Sequence, residues 1–116
     1  MNTRKIGEVG EGIAEDFLKK KGYRVLHRNW FCYAGELDLV AESPERVLTF
    51  VEVKFLRGTG FCRPHELLTS QKRRVLLRTR RNYLSKNPSS QKQWRLDFVG
   101  ITRTSGGMEI KHYEGV

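Results

Sequence analysis

The sequence has few cysteines and no long apolar run. Its 2 cysteines are too few for a disulfide framework. No apolar stretch approaches the ~20 residues that a membrane-spanning helix needs, and the first residues are polar, without the apolar core of a secretory signal peptide. These absences argue against a disulfide-stabilised secreted domain and against a helical membrane protein. We therefore expect a cytoplasmic protein with no membrane partner.

Acidic residues are scarce in the second half of the chain, where basic residues dominate. Residues 1–60 contain ten Lys or Arg and nine Asp or Glu, whereas residues 61–116 contain twelve and four. The net charge is +9, which suits a polyanionic partner. Nucleic acid is the favoured partner of this kind, and an anionic membrane surface is the less favoured alternative. With 116 residues the chain is long enough for one domain, which we expect to span residues 1–116.

Residues 47–55, VLTFVEVKF, are predicted to form the central strand of the fold. Seven of these nine residues are β-branched or large and apolar, a composition typical of a strand covered on both faces. Glu52 and Lys54 are two positions apart and therefore lie on the same face. Burying either charge is costly unless it is paired or coordinated. The sequence leaves two compensations open, a mutual ion pair or a metal ion bound by Glu52.

A second strand, residues 35–42, carries acids at alternate positions. In GELDLVAE, Glu36, Asp38 and Glu42 alternate with apolar residues, which predicts one apolar and one acidic face. A short connection with a proline predicts a hairpin with the central strand, so that Asp38 approaches Glu52. Two carboxylates without a second lysine nearby repel each other. A divalent cation would relieve that repulsion, and oxygen ligands favour Mg²⁺ or Mn²⁺.

The remaining periodic segments complete an α/β domain with a central mixed β-sheet flanked by helices, in the order αβββαββ. Glycines in the first helix are expected to allow close approach of its backbone to a neighbour. Asp97, a lone acid in an apolar strand, is expected to pair with a basic residue. The predicted elements are a helix at 5–21, strands at 23–29, 94–101 and 109–113, and a second long helix at 70–84 with Ser70 as its N-cap.

Basic side chains follow the central strand in a loop and in the second long helix. The helix buries a stripe at Val75, Leu76, Thr79 and Tyr83, while its arginines share another face. These bases are expected to contact phosphates, and a plain solvated face is the alternative. The candidate nucleic-acid-binding residues are Arg57, Arg63, Lys72, Arg74, Arg78 and Arg81.

An acid on one strand followed by E-V-K on the next resembles the PD-(D/E)XK pattern of the restriction-endonuclease-like nuclease superfamily. Over nearly its whole length, the chain resembles the YraN-like family of uncharacterised bacterial proteins, which is similar to the archaeal Holliday-junction resolvases. The resemblance is carried by Gly10-Glu11, Ala14, Phe17-Leu18, Gly22-Tyr23, Asn29, the runs GELDLVA and FVEVK, Lys72, Tyr83-Leu84 and the run RLDF at 95–98.

This resemblance implies an active site with a metal ion and a lysine. By position, Glu11, Asp38 and Glu52 match the acidic metal-site residues and Lys54 matches the catalytic lysine. The expected function is that of a Mg²⁺- or Mn²⁺-dependent DNA endonuclease that hydrolyses phosphodiester bonds, on branched or other structured DNA. The alternative is a nucleic-acid-binding module that keeps the fold without cutting. The sequence leaves open whether the protein forms a homodimer.

The chain departs from the superfamily pattern at two places. Leu37 stands where the motif has its proline, and the basic residue expected soon after E-V-K arrives only at Arg57. The second departure leaves the role of Arg57 undefined.

Overall fold

Five strands form one mixed sheet in a computed structural model of the chain, and helices pack on both of its faces. The structure describes residues 3–57, 64–88 and 93–116. Its elements are α1 (Thr3–Lys20), β1 (Arg24–Cys32), β2 (Gly35–Glu42), β3 (Leu48–Arg57), α2 (Pro64–Leu67), α3 (Ser70–Lys86), β4 (Trp94–Thr104) and β5 (Gly107–Tyr113). The α/β class and the predicted order of long helices and strands are confirmed.

The sheet has the strand order β1-β2-β3-β4-β5, with β3 at its centre. β3 and β4 are parallel, and the other neighbouring pairs are antiparallel. On one face Val51 packs in a cluster with Leu18 of α1, and on the other Phe50 packs with Leu76 and Tyr83 of α3. The nearly continuous apolar composition of β3 follows from this coverage by helices on both sides.

Close approach between α1 and the sheet is confirmed at Gly10. A Cβ added to Gly10 would lie 3.3 Å from the Cβ of Phe55 on β3. A side chain at position 10 would therefore be in tight contact with Phe55. The next residue, Glu11, is held close to the sheet and is only 7% exposed.

The N-cap of α3 lies one residue earlier than the sequence predicts. Thr69, not Ser70, is the N-cap, because Thr69 has extended backbone angles and its side chain accepts a hydrogen bond from the backbone N–H of Lys72. The predicted buried stripe is confirmed except at Val75, which is 37% exposed. Among the described segments, no helix combines the length and apolar character needed to cross a membrane.

β1 is longer and less regular than the predicted strand. It continues to Cys32 and contains a bulge between Val25 and His27, and Asn29 has a positive φ of 51°. Trp30 and Phe31, which follow the predicted strand at 23–29, therefore belong to β1. We call residues 31–35, where β1 turns into β2, the hairpin tip.

Asp97 lies at the centre of a polar network beneath β4 and β5. It is fully buried and accepts two hydrogen bonds from Arg95 (2.7 and 2.9 Å), one from His112 Nε2 (2.7 Å) and one from the backbone N–H of Gly115 (3.1 Å). Burial alone would raise its pKa, but the bonds to His112 and Arg95 hold the pKa below its usual value. The expected basic partner is confirmed.

Candidate metal centre

A cavity of about 360 Å³ opens where β2 and β3 diverge. The register of the two strands runs from Glu42 opposite Leu48 to Leu39 opposite Val51. One step further on, the carboxylate of Asp38 accepts a 2.8 Å hydrogen bond from the backbone N–H of Val53. The Asp38 side chain thus accepts a hydrogen bond from a backbone N–H of β3 that lies beyond the paired part of β2 and β3. The charged residues lining the cavity are Glu11, Glu36, Asp38, Glu52, Lys54 and Lys72.

Three carboxylates converge in this cavity from α1 and β2. One carboxylate oxygen from each of Glu11, Glu36 and Asp38 lies within 4.8 Å of the other two. Burial raises the pKa of Asp38 to about 8, with further contributions from the charges of Glu52 and Glu11. Burial also raises the pKa of Glu11. The negative charge of these acids is therefore not fully compensated by their surroundings, and this favours the protonated form of Asp38.

Glu52 is paired with a lysine that the sequence did not place here. Lys72 Nζ, from the first turn of α3, lies 2.6 Å from Glu52 Oε1. The expectation that no second lysine lies near the carboxylates was therefore wrong. Within the described part of the chain, no ion pair joins Glu52 to Lys54, although both side chains line the cavity. Lys72, which the sequence predicts as a phosphate contact, also lines the cavity.

The donor set fits a hard divalent cation. Glu11, Glu36 and Asp38 offer only oxygen atoms, and Mg²⁺ and Mn²⁺ prefer such ligands. The four residues predicted to be catalytic, Glu11, Asp38, Glu52 and Lys54, all line one cavity. Sequence reasoning left out Glu36, although its position two residues before Asp38 already placed both on the same side of β2.

The other predicted nucleic-acid-binding residues are distributed unevenly. Arg74, Arg78 and Arg81 are exposed on α3. Arg57 ends β3, but its side chain lies outside the described part of the structure. Arg63 lies outside the described residues. Of the predicted nucleic-acid interface, the described structure therefore includes the exposed arginines of α3.

A second group of metal-ligand side chains is already satisfied within the protein. Asp97, His112 and Glu114 lie close enough to share an ion. Arg95 occupies this group, however, donating two hydrogen bonds to Asp97 and lying 3.6 Å from the Glu114 carboxylate. We therefore assign this network a structural role.

Asp38→Asn is expected to raise the melting temperature by about 5 °C or more at pH 9, and to raise it much less at pH 5. The folded pKa of Asp38, about 8, is above its ordinary value of 3.8, so the folded protein keeps a proton that the unfolded chain releases between these values. Stability then falls as pH rises from about 4 to about 8. Asparagine does not ionise, and its amide oxygen still accepts the bond from Val53.

Thermal unfolding in EDTA, at both pH values, measures this effect. Asp16→Asn, at an exposed position on α1, is the matched control and should leave both melting temperatures unchanged. A shift of equal size at pH 5 and pH 9 would show that ionisation of Asp38 does not destabilise the folded protein.

Comparison with known proteins connects the chain to one family. The model of a family described as "Uncharacterised protein family UPF0102" matches residues 10–101. A UPF0102 protein of Carboxydothermus hydrogenoformans is 36% identical over 100% of this chain and 98% of its own. A UPF0102 protein of Pelobacter propionicus is 41% identical over 96% of this chain and 81% of its own. One of Caldicellulosiruptor saccharolyticus is 39% identical over 87% and 85%.

Proposed function

The chain belongs to the uncharacterised protein family UPF0102, and we propose that it is a Mg²⁺- or Mn²⁺-dependent DNA endonuclease of the restriction-endonuclease-like superfamily. One observation carries this proposal. Glu11, Glu36 and Asp38 converge in a single cavity that also contains Glu52 and two lysines. Converging acids beside lysines suit the hydrolysis of a phosphodiester, in which a metal and a cation both face the reacting phosphate.

The acids would hold the ion, and the backbone helps to orient them. Glu11, Glu36 and Asp38 would supply the oxygen ligands, and Asp38 is oriented by the hydrogen bond that it accepts from the Val53 N–H. Because Asp38 has a raised pKa, it has to release its proton to act as a ligand. A divalent ion bound there would neutralise charge on the scissile phosphate and make an attacking water easier to ionise.

The lysines would act on the phosphate. Lys54 lines the cavity, and its ammonium would donate hydrogen bonds to phosphate oxygens as negative charge develops on them. Lys72 pairs with Glu52 and is 36% exposed, so it can turn towards an entering phosphate. Glu52 would then be free to join the acids around the ion.

DNA is the proposed substrate because of the charge distribution around the cavity. The chain has a net charge of +9. α3 carries Lys72 into the cavity and also presents Arg74, Arg78 and Arg81 to solvent. A strand whose phosphate enters the cavity would therefore meet further positive charge along the same helix.

A nucleic-acid-binding module without cleavage is the second candidate, and one contact favours it. The Glu52 carboxylate is already neutralised by Lys72 at 2.6 Å. If this ion pair persisted with DNA bound, Glu52 would not be available as a metal ligand. The basic surface would then bind DNA without cutting it.

A metal-dependent cleavage screen tests the proposal. The wild-type protein is expected to nick at least one DNA form, among four-way junctions, flaps, single strands and plasmid, when Mg²⁺ or Mn²⁺ is present and not in EDTA. Glu52→Gln, purified in the same way, should lose this cleavage. Cleavage by both proteins alike would identify a contaminating nuclease. DNA binding with no cleavage of any form would favour the binding module.

A further inference from the structure

Two aromatic side chains at the hairpin tip are almost fully exposed. Phe31 is 76% exposed and Tyr33 is 90% exposed. An aromatic ring contributes most to stability when it is buried. These two exposed rings therefore contribute little to the stability of the fold. Their exposure on a short segment points to a binding role for the tip.

The hairpin tip adjoins the cavity. Phe31 lies directly opposite Glu36 in the register of β1 and β2. Directly opposed residues of an antiparallel pair extend to the same side of the sheet, so the Phe31 ring and the Glu36 carboxylate are neighbours. Asp38 follows Glu36 by two residues, about 7 Å along the strand. A nucleotide at the tip would therefore lie within about one or two steps of the phosphate in the cavity.

The hairpin tip is held firmly against α3. A Cβ added to Gly35 would come within 2.6 Å of Thr79 Oγ1 and 2.9 Å of Val75 Cγ1, so the turn and the helix are in direct contact. Arg78 directly precedes Thr79 and is exposed. The tip is thus an aromatic surface that is supported by α3, the helix that also carries the exposed Arg78.

We propose that the hairpin tip binds unpaired bases of a DNA strand, which stack on Phe31 and Tyr33 while a neighbouring phosphate enters the cavity. Within a duplex the base faces are covered by adjacent bases, whereas unpaired bases offer them to aromatic side chains. This inference rests on the proposed nuclease function and specifies its substrate class. The substrate is DNA with unpaired bases next to the cleaved phosphate.

A second copy of the chain fits the same surface less well. A standard protein interface buries about 800 Å² on each partner. Two aromatic side chains supply roughly 150–250 Å² each, which is about half of that area. The excess of positive charge would also make two copies repel each other, while it attracts DNA.

Binding measured without metal tests this inference separately from cleavage. Fluorescence anisotropy in EDTA compares a labelled single-stranded thymidine oligomer with a blunt duplex of equal length. The double variant Phe31→Ala/Tyr33→Ala should bind the single strand at least roughly 30-fold more weakly, the loss expected for two stacked bases. Its binding to the duplex should change less than about threefold. Met108→Ala, at an exposed apolar residue next to the β4–β5 turn, is the matched control and should behave as wild type.

A second double variant separates stacking from a general apolar contact. Phe31→Leu/Tyr33→Leu keeps apolar side chains without the rings and should lose single-strand binding as the alanine variant does. Wild-type binding by the leucine variant would overturn the inference. So would an equal loss on single strand and duplex, or conversion of a wild-type dimer to monomers with single-strand binding unchanged. If the cleavage screen is negative but the selective loss is found, the nuclease proposal fails and the binding platform stands.

Discussion

Lys54→Ala is expected to slow metal-dependent DNA cleavage about 100- to 1000-fold, the usual cost of removing one donor that stabilises charge in the transition state. The Lys54 side chain lines the cavity beside Glu52, and the described structure gives it no ion-pair partner. Its ammonium is therefore available to the substrate. The melting temperature should change little, because the side chain is partly exposed and its removal leaves no buried charge unpaired.

The measurement is the single-turnover rate on whichever DNA form the wild-type protein cleaves. Lys20→Ala, at an exposed lysine in the last turn of α1, is the matched control and should cleave at the wild-type rate. A wild-type rate for Lys54→Ala would remove this residue from the reaction, and Lys72 would then be the lysine to test.

Asp97→Ala is expected to destabilise the protein by about 3–5 kcal/mol, because removing one partner of a buried ion pair leaves the other without compensation. Asp97 accepts hydrogen bonds from Arg95, His112 and the Gly115 backbone in a fully buried position. Alanine removes all of these acceptors at once. Such a loss is a large part of the stability of a typical domain.

Urea denaturation measures this effect at pH 7. Glu109→Ala removes a carboxylate that is 57% exposed on β5, and an exposed ion pair of this kind contributes less than about 1 kcal/mol. An Asp97→Ala variant within about 1 kcal/mol of wild type would show that Arg95 finds water or another acceptor when Asp97 is absent.

The sequence was informative where side chains repeat with a regular period. Alternation in β2 and the apolar composition of β3 predicted both strands, and their short connection predicted that Asp38 approaches Glu52. The family resemblance was needed for Glu11, because nothing about a glutamate on an amphipathic helix distinguishes it from a solvated one. The structure brings all three carboxylates to one cavity.

The sequence was less informative where two distant elements meet. The contact of Lys72 with Glu52 depends on how α3 packs over β3, which no local pattern contains. The N-cap was predicted at Ser70 and lies at Thr69 for another reason. Serine and threonine are both good N-caps, and the two residues are adjacent in the sequence. The extension of β1 through Trp30 follows from its pairing with β2, which outweighs local preference.

The bulge in β1 makes this edge strand a poor partner for a strand of another chain. β1 and β5 are the outermost strands of an open sheet, and such strands offer free backbone groups to another chain. The bulge between Val25 and His27 interrupts the regular spacing of these groups, and Arg24 and Arg28 place charge along the same edge. On β5, Glu109 and Lys111 do the same. Side-by-side addition of a second sheet is therefore disfavoured at both edges.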